Sequence, residues 1–413
     1  MIAAVRLRAE ARRVLKFGGS SLATPEKIQS VATRIAAMVR GGRQLVVVVS
    51  AMGETTNDLL ALAQRVSPHP NRRELDMLLT TGERISMSLL SMALHDRGCP
   101  SISFTGSQAG VLTDGSFSNA DIVNIRPIRV ARELRRHRVV VLAGFQGVDP
   151  KTKEITTLGR GGSDTTAIAM ASVLHARGCE IYKDVDGVLG ADPKIIPNAP
   201  MYKTIPLNLL HEFCNWGAKI LNVRSVEWAI RGQVPIAIGR SSDFALGTKI
   251  VNVLTRPNQK SRPSKSKIIG LHSHSHVIEL IVKNRAKAAA AKTIAEILNA
   301  QSLPMPKILT VQELKFGVRL FVTLDADTLA QIEHALKISK RVELQREDLS
   351  SVALTQSHNN RGNKSESFAS DRSIFHFTTP WSEVSVLPRS ARIEFMKSIG
   401  ETVFPNQRPP IGV

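Results

Sequence analysis

Short apolar runs alternate with amphipathic segments from residue 14 to about residue 251. Five of the runs are continuous, which is the pattern of strands that are buried on both faces of a parallel sheet. These predicted strands are residues 14–17, 44–50, 139–145, 180–183 and 234–238. Because segments of helical periodicity lie between them, the pattern predicts an α/β fold with a mainly parallel sheet and strand–helix crossovers.

Capping residues mark two of the predicted helices. Thr24 is placed to cap one helix, and Gly41 is placed to end it. Further along the chain, Ser163 or Asp164 is expected to cap a helix that runs to Arg177. Ligands bind beyond the carboxyl ends of strands in open parallel sheets, so the loops after the predicted strands are candidate binding segments.

The pattern changes after residues 255–267, which are rich in proline, serine and lysine and are predicted to be a linker. Six elements then follow in the order β-α-β-β-α-β, at residues 277–282, 286–299, 307–312, 318–323, 326–338 and 341–345. This order predicts a ferredoxin-like α+β module. Residues 355–373 are polar and predict a loop or disorder.

Composition and charge restrict the class of protein. No apolar run approaches the roughly 20 residues of a membrane span. The three cysteines lie far apart without zinc-site spacing, which argues against a zinc site and against a disulfide framework. A reducing compartment fits this use of cysteine, so a cytoplasmic protein is expected. The formal net charge of +20 brings nucleic-acid binding into consideration. However, the basic residues are spread along the chain, and aromatic residues, which would stack on bases, make up only 4%. A generally basic surface without a nucleic-acid partner is therefore favoured.

A lysine and two glycines follow the first predicted strand in the segment KFGGS, residues 16–20. Glycines let backbone N–H groups approach a phosphate closely, and a lysine adds a positive charge beside it. The spacing is not that of a Walker-type loop. Taken alone, the segment is equally consistent with a plain turn and a solvated lysine.

Three glycines surround Arg160 in the segment LGRGGSD, residues 158–164. Glycines in this arrangement favour an anion-binding loop, and the planar guanidinium group suits a carboxylate. A capped helix is the simpler alternative, but a cap alone would not require three glycines around an arginine. The segment is therefore a candidate substrate loop.

Two further segments carry candidate chemistry. The segment KDVDG, residues 183–187, ends a predicted strand, and a calcium loop is disfavoured because the twelfth position is Ile195 instead of glutamate. A nucleotide loop is the favoured interpretation. The segment GAKIL, residues 217–221, places Lys219 directly after a predicted helix, although a single lysine is usually solvated.

Together these segments resemble the aspartate kinases of the amino-acid kinase superfamily over roughly residues 14–250. The resemblance is carried, in the family's order and spacing, by KFGGS (16–20), SAMGETTN (50–57), TTGERIS (80–86), TGSQAGVLTD (105–114), AGFQGV (143–148), TLGRGGSDTT (157–166), DVDGV (184–188) and GAKIL (217–221). It implies a catalytic domain at 14–254 with a three-layer αβα sandwich and a mainly parallel central sheet. It also implies an ACT-like module at 268–348, followed at 349–413 by a divergent second module or a partly disordered tail.

The resemblance also implies a role for individual residues. The catalytic residues would be Lys16, Asp164 and Lys219. The aspartate-binding residues would be Thr56, Glu83, Phe145, Arg160, Ser163 and Asp164. The ATP-binding residues would be Lys16, Phe17, Gly18, Gly19, Ser20, Lys183, Asp184, Leu189, Lys194 and Lys219. In chemical terms, Glu83 suits the α-ammonium group of aspartate and Arg160 suits its α-carboxylate.

The implied reaction converts ATP and L-aspartate into ADP and 4-phospho-L-aspartate, the first step toward lysine, threonine and methionine. The attacking carboxylate is already ionised at neutral pH, so positioning and charge neutralisation would carry the catalysis. Mg²⁺ is expected to arrive with the nucleotide, and no metal site of the protein's own is expected. A homo-oligomer with a lysine or threonine effector, and no membrane partner, is also implied.

The sequence departs from the family's usual pattern in two places. Lys183, Leu189 and Lys194 stand where the family usually has threonine, tyrosine and arginine. Asn222 and Val223 stand where it usually has histidine and proline. The alternative hypothesis is therefore a catalytically weakened sensor or binding protein on the same fold.

Overall fold

A computed structural model of the protein describes residues 12–252, 268–283, 287–299, 307–314, 317–323, 335–336, 342–356, 375–378 and 382–403. These residues form two compact units. The first unit holds residues 12–188, 202–211 and 219–252, and the second holds the remaining described residues. The linker at 255–267 lies outside the described residues, and the division into one catalytic domain and two regulatory modules stays a prediction.

The elements between residues 12 and 252 alternate between strands and helices. In chain order they are β1 (Arg12–Phe17), a 3-10 turn (Gly19–Leu22), α1 (Pro25–Arg40), β2 (Gln44–Val49), α2 (Thr55–Val66), α3 (Arg72–His95), β3 (Ser101–Phe104), β4 (Val111–Thr113), β5 (Ile122–Ile125), α4 (Ile128–Arg135), β6 (Val139–Ala143), β7 (Gln146–Val148), β8 (Ile155–Thr157), α5 (Gly162–Val173), β9 (Cys179–Lys183), β10 (Val188–Leu189), β11 (Met201–Tyr202), β12 (Thr204–Pro206), α6 (Leu207–Asn215), α7 (Val223–Gly232), β13 (Ile236–Arg240) and β14 (Leu246–Val251).

The main sheet of the first unit has eight strands in the order β12-β14-β13-β9-β1-β2-β6-β3. The six strands from β13 to β3 are parallel to one another. Strand β14 runs antiparallel to β13, and β12 runs parallel to β14. The five strands predicted from continuous apolar runs are β1, β2, β6, β9 and β13, so the predicted mainly parallel sheet is confirmed. A separate four-stranded sheet has the order β5-β4-β7-β8.

Helices cover both faces of the main sheet. Successive side chains of a strand point to opposite faces, and in β1 Leu15 and Phe17 join a core cluster with Ile35 of α1 and Leu90 of α3. Lys16 therefore points to the opposite face, where α5 packs on β1 and β2. This arrangement confirms the predicted three-layer αβα sandwich and explains why the strand sequences are continuously apolar.

The predicted ends of one helix are confirmed and those of another are wrong. The Thr24 side chain accepts a hydrogen bond from a first-turn N–H group of α1, as predicted. Helix α5 instead begins after Gly161, which has φ of 75°, so neither Ser163 nor Asp164 is its cap. It also ends before Arg177, because the chain turns into a left-handed conformation with φ of 48° just after the helix. The Asp164 carboxylate is directed at two lysines instead of the helix terminus.

The second unit contains an antiparallel sheet of six strands in the order β16-β17-β15-β18-β20-β19. Its elements are β15 (Ile268–Lys283), α8 (Lys287–Asn299), β16 (Lys307–Leu314), β17 (Gly317–Thr323), β18 (Val342–Gln356), β19 (Phe375–Thr378), β20 (Ser382–Pro388), a 3-10 turn (Arg389–Ala391) and α9 (Arg392–Val403). The strand order from β16 to β18 is that of the predicted ferredoxin-like module.

Two of the segments predicted in this unit lie mostly outside the described residues. Of the helix predicted at 326–338, only residues 335–336 are described, and they are helical. Most of the polar segment at 355–373 also lies outside the described residues. Strand β18 runs without interruption through residue 349, where the sequence suggested that a second module begins. The described strands on both sides of that position thus belong to one sheet.

Removing a buried side chain from α3 tests the packing of the first unit. Leu90 is fully buried in the core cluster, whereas the neighbouring Leu89 is 38% exposed. We expect Leu90→Ala to lower the free energy of unfolding by about 2–5 kcal/mol, because the substitution leaves a cavity. Leu89→Ala is the matched control and should cost well under about 1 kcal/mol. Urea denaturation measures both, and equal losses would contradict the assigned face of α3.

Candidate active site

Two lysines and one aspartate form a buried cluster of ion pairs at the carboxyl ends of β1 and β9. Lys16 Nζ lies 2.8 Å from Asp164 Oδ1, and Lys183 Nζ lies 2.8 Å from Asp164 Oδ2. The parallel register pairs Lys16 with Ile181, so alternation directs Lys16 and Lys183 to the same face of the sheet. Asp164 reaches both lysines from the first turn of α5, which packs on that face.

The charges of this cluster depend on one another. Burial by itself would raise the pKa of Asp164, but Lys16 and Lys183 together lower this pKa to about 2. Burial lowers the pKa of Lys16 below its ordinary value of 10.5; the Asp164 carboxylate opposes this effect and the charge of Lys183 adds to it. With both lysines protonated, the cluster contains two positive charges and one negative charge. It is therefore suited to an anionic ligand.

The glycine turn after β1 lies beside the Lys16 ammonium group. A Cβ atom at Gly19 would lie 2.8 Å from the carbonyl oxygen of Ala51 and 2.9 Å from that of Gly53, so only glycine fits. A Cβ atom at Gly18 would meet nothing closer than 3.7 Å, and one atom at that distance is Lys16 Nζ. The backbone of this turn and the Lys16 ammonium group thus lie side by side, an arrangement that suits a phosphate.

Glu83 is a buried carboxylate of which only one oxygen accepts a hydrogen bond from the described residues. Its Oε1 atom accepts a hydrogen bond from the Ala51 N–H at 3.1 Å. No donor reaches Oε2 within the part of the chain that is described. Burial raises the pKa of Glu83 from 4.5 to about 7, and the nearby charge of Lys16 only partly opposes this effect. A buried oxygen without a donor is costly, so Oε2 is suited to a cationic group of a ligand.

The turn between β6 and β7 packs closely against the start of α5. Phe145 has φ of 68°, a left-handed conformation that is rare for a residue with a side chain and costs roughly 1–3 kcal/mol. Its N–H donates to Thr166 Oγ1 at 3.2 Å. A Cβ atom at Gly144 would lie 2.7 Å from the Cβ atom of Ser163, so the two segments are in close contact. The structure thus brings Phe145 and Ser163 together.

Other predicted site residues do not all converge on the cluster. The Phe17 side chain is fully buried in the core on the opposite face of the sheet, so only its backbone can face a ligand. Thr56 is half-buried in the first turn of α2, and Ser20, Arg160, Asp184 and Lys219 are exposed in their turns. Leu189 and Lys194 belong to the second unit, and their role in binding ATP stays a prediction.

One residue of structural importance was not predicted. Asp76 is buried in α3, and its carboxylate accepts four hydrogen bonds from the backbone and hydroxyl groups of Ser118 and Thr157. It therefore fixes the strand that leads into the glycine-rich loop. The signal was present in the sequence, because Asp76 and Glu83 both lie on the apolar stripe of α3. Two carboxylates in such a stripe indicate buried polar roles.

The turn before α7 holds a second set of unpredicted contacts. The Asn222 side chain caps α7 by accepting from the N–H of Arg224 at 2.9 Å, and its Nδ2 donates to the carbonyl oxygen of Arg160 at 2.8 Å. The Arg224 guanidinium group donates to the carbonyl oxygen of Leu158 at 2.7 Å. These contacts join the segment after Lys219 to the glycine-rich loop.

The sequence profile of the amino acid kinase family matches residues 11–240. The chain belongs to the amino acid kinase family. Curated relatives include the aspartokinase of Mycobacterium bovis, which is 53% identical over 238 residues, or 58% of this chain and 56% of that protein. The aspartokinase of Corynebacterium glutamicum is 51% identical over 237 residues, or 57% of this chain and 56% of that protein. This amino acid kinase thus matches about half the length of these relatives.

Solved structures resemble this amino acid kinase over more of its length. The aspartate kinase of Synechocystis is 31% identical with a TM-score of 0.54, covering 97% of this chain and 71% of that one. The aspartokinase III of E. coli in complex with aspartate and ADP has a TM-score of 0.74 at 19% identity, covering 95% of this chain and all of that one. The latter similarity shows a shared fold. Across the described residues, no helix is long and apolar enough to cross a membrane.

The raised pKa of Glu83 predicts a pH-dependent effect of replacing it. A carboxyl group whose pKa rises from 4.5 to about 7 on folding stabilises the fold below pH 4.5, and this contribution is lost as the pH rises through 7. Glu83→Gln cannot ionise and retains an acceptor for the Ala51 N–H. We therefore expect the variant to be more stable than the wild type at pH 8, by up to about 3 kcal/mol, and nearly equal at pH 4.5.

Urea denaturation at the two pH values measures this difference in the free energy of unfolding. Glu54→Gln is the matched control, because Glu54 is exposed and its replacement should change the free energy of unfolding by less than about 0.5 kcal/mol. A Glu83→Gln variant that is less stable than the wild type at both pH values would contradict the burial argument.

Proposed function

We propose that this chain is an aspartate kinase, which transfers the γ-phosphoryl group of ATP to the β-carboxylate of L-aspartate. The observation that carries the proposal is the buried Lys16–Asp164–Lys183 cluster beside the glycine turn. Glu83 lies near this cluster, because the charge of Lys16 lowers the pKa of the Glu83 carboxyl group. The names of the relatives that match the first unit support the choice of aspartate as substrate. The E. coli relative of the same fold was crystallised with aspartate and ADP.

The chemistry needs little from a general base. The β-carboxylate of aspartate is ionised at neutral pH and attacks the γ-phosphorus in line with the departing ADP. An ammonium group at Lys16 has three N–H groups and one of them faces Asp164, which leaves donors for a phosphoryl oxygen. The glycine turn supplies backbone N–H groups beside it. Charge neutralisation and positioning are therefore the contributions of this chain.

Aspartate recognition is assigned to Glu83 and the glycine-rich loop. The unpartnered Oε2 of Glu83 suits the α-ammonium group, and burial of the pair would strengthen their attraction. Arg160 is exposed in its turn, and its guanidinium group suits the α-carboxylate. Phe145 and Ser163 would form the wall between these groups, and Thr56 would close the opposite side.

The nucleotide is expected to bring Mg²⁺ with it. Both oxygens of Asp164 are held by ammonium groups, so this carboxylate does not suit a metal ion. Among the residues described, no group of three or more His, Cys, Asp or Glu side chains could hold a metal. Mg²⁺ commonly keeps several waters and binds through substrate phosphates. Lys219, which is exposed in its turn, would meet the same phosphates, and Asp184 is exposed in the loop after β9.

Regulation and assembly belong to the same proposal. The E. coli enzyme of this fold has also been crystallised with lysine and aspartate in a T-state. The ferredoxin-like sheet of the second unit supports an effector site for lysine or threonine, and a homo-oligomer. The alternative of a weakened sensor is not favoured, because this chain and the aspartokinase relatives are identical at about half of the positions in the region that they share.

An assay of acyl phosphate formation tests the reaction itself. Hydroxylamine converts an aspartyl phosphate into a hydroxamate, which should accumulate only with both ATP and L-aspartate. Lys16→Ala should lower kcat by about 10²- to 10³-fold, the scale expected for removing one donor that faces the developing charge. Lys249→Ala removes an exposed lysine of the same sheet and is the control. Absence of hydroxamate with the wild type, or equal rates for Lys16→Ala, would refute the proposal.

The pH dependence of the KM for aspartate tests the role of Glu83. Its pKa of about 7 means that it loses its negative charge as the pH falls from 8 to 6. We therefore expect the KM of the wild type to rise over that interval. Glu83→Gln should raise KM at pH 8 by about 10- to 100-fold, which corresponds to the loss of one hydrogen bond to a charged group. The KM of the variant should also depend less on pH than that of the wild type. A variant with an unchanged KM at pH 8 would exclude Glu83 from the substrate site.

A further inference from the structure

We propose that Lys183 is a positioning residue for phosphoryl transfer, which holds Asp164 on one side and the turn that carries Lys219 on the other. Its chemical role rests on the proposed function, whereas its two contacts belong to the structure alone. The sequence suggested only that Lys183 meets ATP. The position of its ammonium group indicates a different, internal role.

The Lys183 ammonium group joins two segments that are distant in sequence. Its Nζ atom lies 2.8 Å from Asp164 Oδ2 and donates to the carbonyl oxygen of Ile220 at 2.5 Å. The side chain is only 19% exposed, so both contacts are largely shielded from water. Its carbonyl oxygen also accepts from the N–H of Ser241 at 2.9 Å, which fixes the end of β9. The base of the side chain is therefore rigid, and its tip spans between α5 and the turn.

The contact with Asp164 determines where Lys16 lies. Because each carboxylate oxygen faces a different ammonium group, rotation of the Asp164 side chain would break an ion pair on either side. The carboxylate thus stays directed at Lys16. Without Lys183, one buried oxygen of Asp164 would lose its partner, and the carboxylate would be free to turn toward other donors. Fixing Asp164 in this way keeps the Lys16 ammonium group beside Gly18.

The contact with Ile220 restrains the turn that presents Lys219. Ile220 follows Lys219 directly, and the Lys219 side chain is exposed. On the other side of the turn, Asn222 donates to the carbonyl oxygen of Arg160. The short segment from 220 to 222 is therefore held at both ends, by Lys183 and by the glycine-rich loop. A restrained turn lowers the conformational entropy that Lys219 would lose on meeting a phosphate.

The test compares Lys183→Met, which keeps the length of the side chain without its charge, with the wild type. Lys183→Arg is the conservative variant, and Lys249→Met is the matched control at an exposed site of the same sheet. In the hydroxamate assay we expect Lys183→Met to lower kcat by about 10- to 100-fold, with the KM for aspartate within about threefold of the wild type. Lys183→Arg should recover at least part of kcat, because the guanidinium group can also bridge two acceptors.

The pH profile separates positioning from a general structural defect. Lys16 must be protonated for activity, and the positive charge of Lys183 lowers its pKa. If Asp164 turns away in Lys183→Met, Lys16 loses the carboxylate, which raises its pKa more than Lys183 lowers it, so the alkaline limb of kcat should move to lower pH. A limb that moves to higher pH would show loss of the Lys183 charge alone and would contradict positioning of Asp164. Lys249→Met should leave the limb where it is. An alkaline limb and a kcat that are both unchanged in Lys183→Met would overturn the proposal.

Two measurements decide the proposal even if the wild type forms no hydroxamate, which would refute the proposed reaction. Hydrogen exchange should be faster at residues 219–222 in Lys183→Met than in the wild type. The ¹³Cε signal of Lys16 should titrate at lower pH in the variant, because Asp164 no longer faces its ammonium group. If neither changes, Lys183 positions nothing. Should Lys183→Met fail to fold, Lys183→Gln provides a shorter neutral replacement for the same comparisons, with the same outcomes expected.

Discussion

The first unit depends on a buried cluster in which one carboxylate faces two ammonium groups. Removing one partner of such a buried pair commonly costs about 3–5 kcal/mol, because the remaining charge has no compensation. Lys16, Asp164 and Lys183 come from three separate elements, so the cluster also fixes how α5 lies on β1 and β9. With two ammonium groups facing one carboxylate, the cluster has an excess of one positive charge, which is unfavourable in a buried site. It is compensated most effectively when an anion binds next to the glycine turn.

The surrounding structure serves this cluster by limiting movement of the segments around it. Gly19 permits a backbone contact that any side chain would prevent, and Asp76 anchors the strand that leads into the glycine-rich loop. The strained backbone of Phe145 is held by a hydrogen bond to Thr166. Preorganisation of this kind has a folding cost that is offset by the apolar core on the other face of the sheet. Both faces of the sheet carry buried apolar side chains, and the charged cluster occupies only the carboxyl ends of β1 and β9 on the face covered by α5.

The fold could be predicted further than the site. Continuous apolar strands such as β2 and β6 identify a covered parallel sheet, because local pattern and burial agree there. The partner of Lys183 could not be predicted, since it depends on the register between β1 and β9 and on the placement of α5, both of which are long-range. The start of α5 was predicted wrongly for a similar reason, because the Asp164 side chain forms ion pairs with lysines instead of capping the helix. Asp76 was recognisable in principle, as a carboxylate in an apolar stripe.

The half-satisfied carboxylate of Glu83 has a consequence for the thermodynamics of ligand binding. Near neutral pH a fraction of this group is protonated in the free protein, and an ammonium group bound at Oε2 would favour its ionised form. Binding of an amino acid would then expel a proton into the buffer. The measured enthalpy of binding would include the heat with which the buffer takes up that proton, so it would differ between phosphate and Tris although the contacts in the protein are the same.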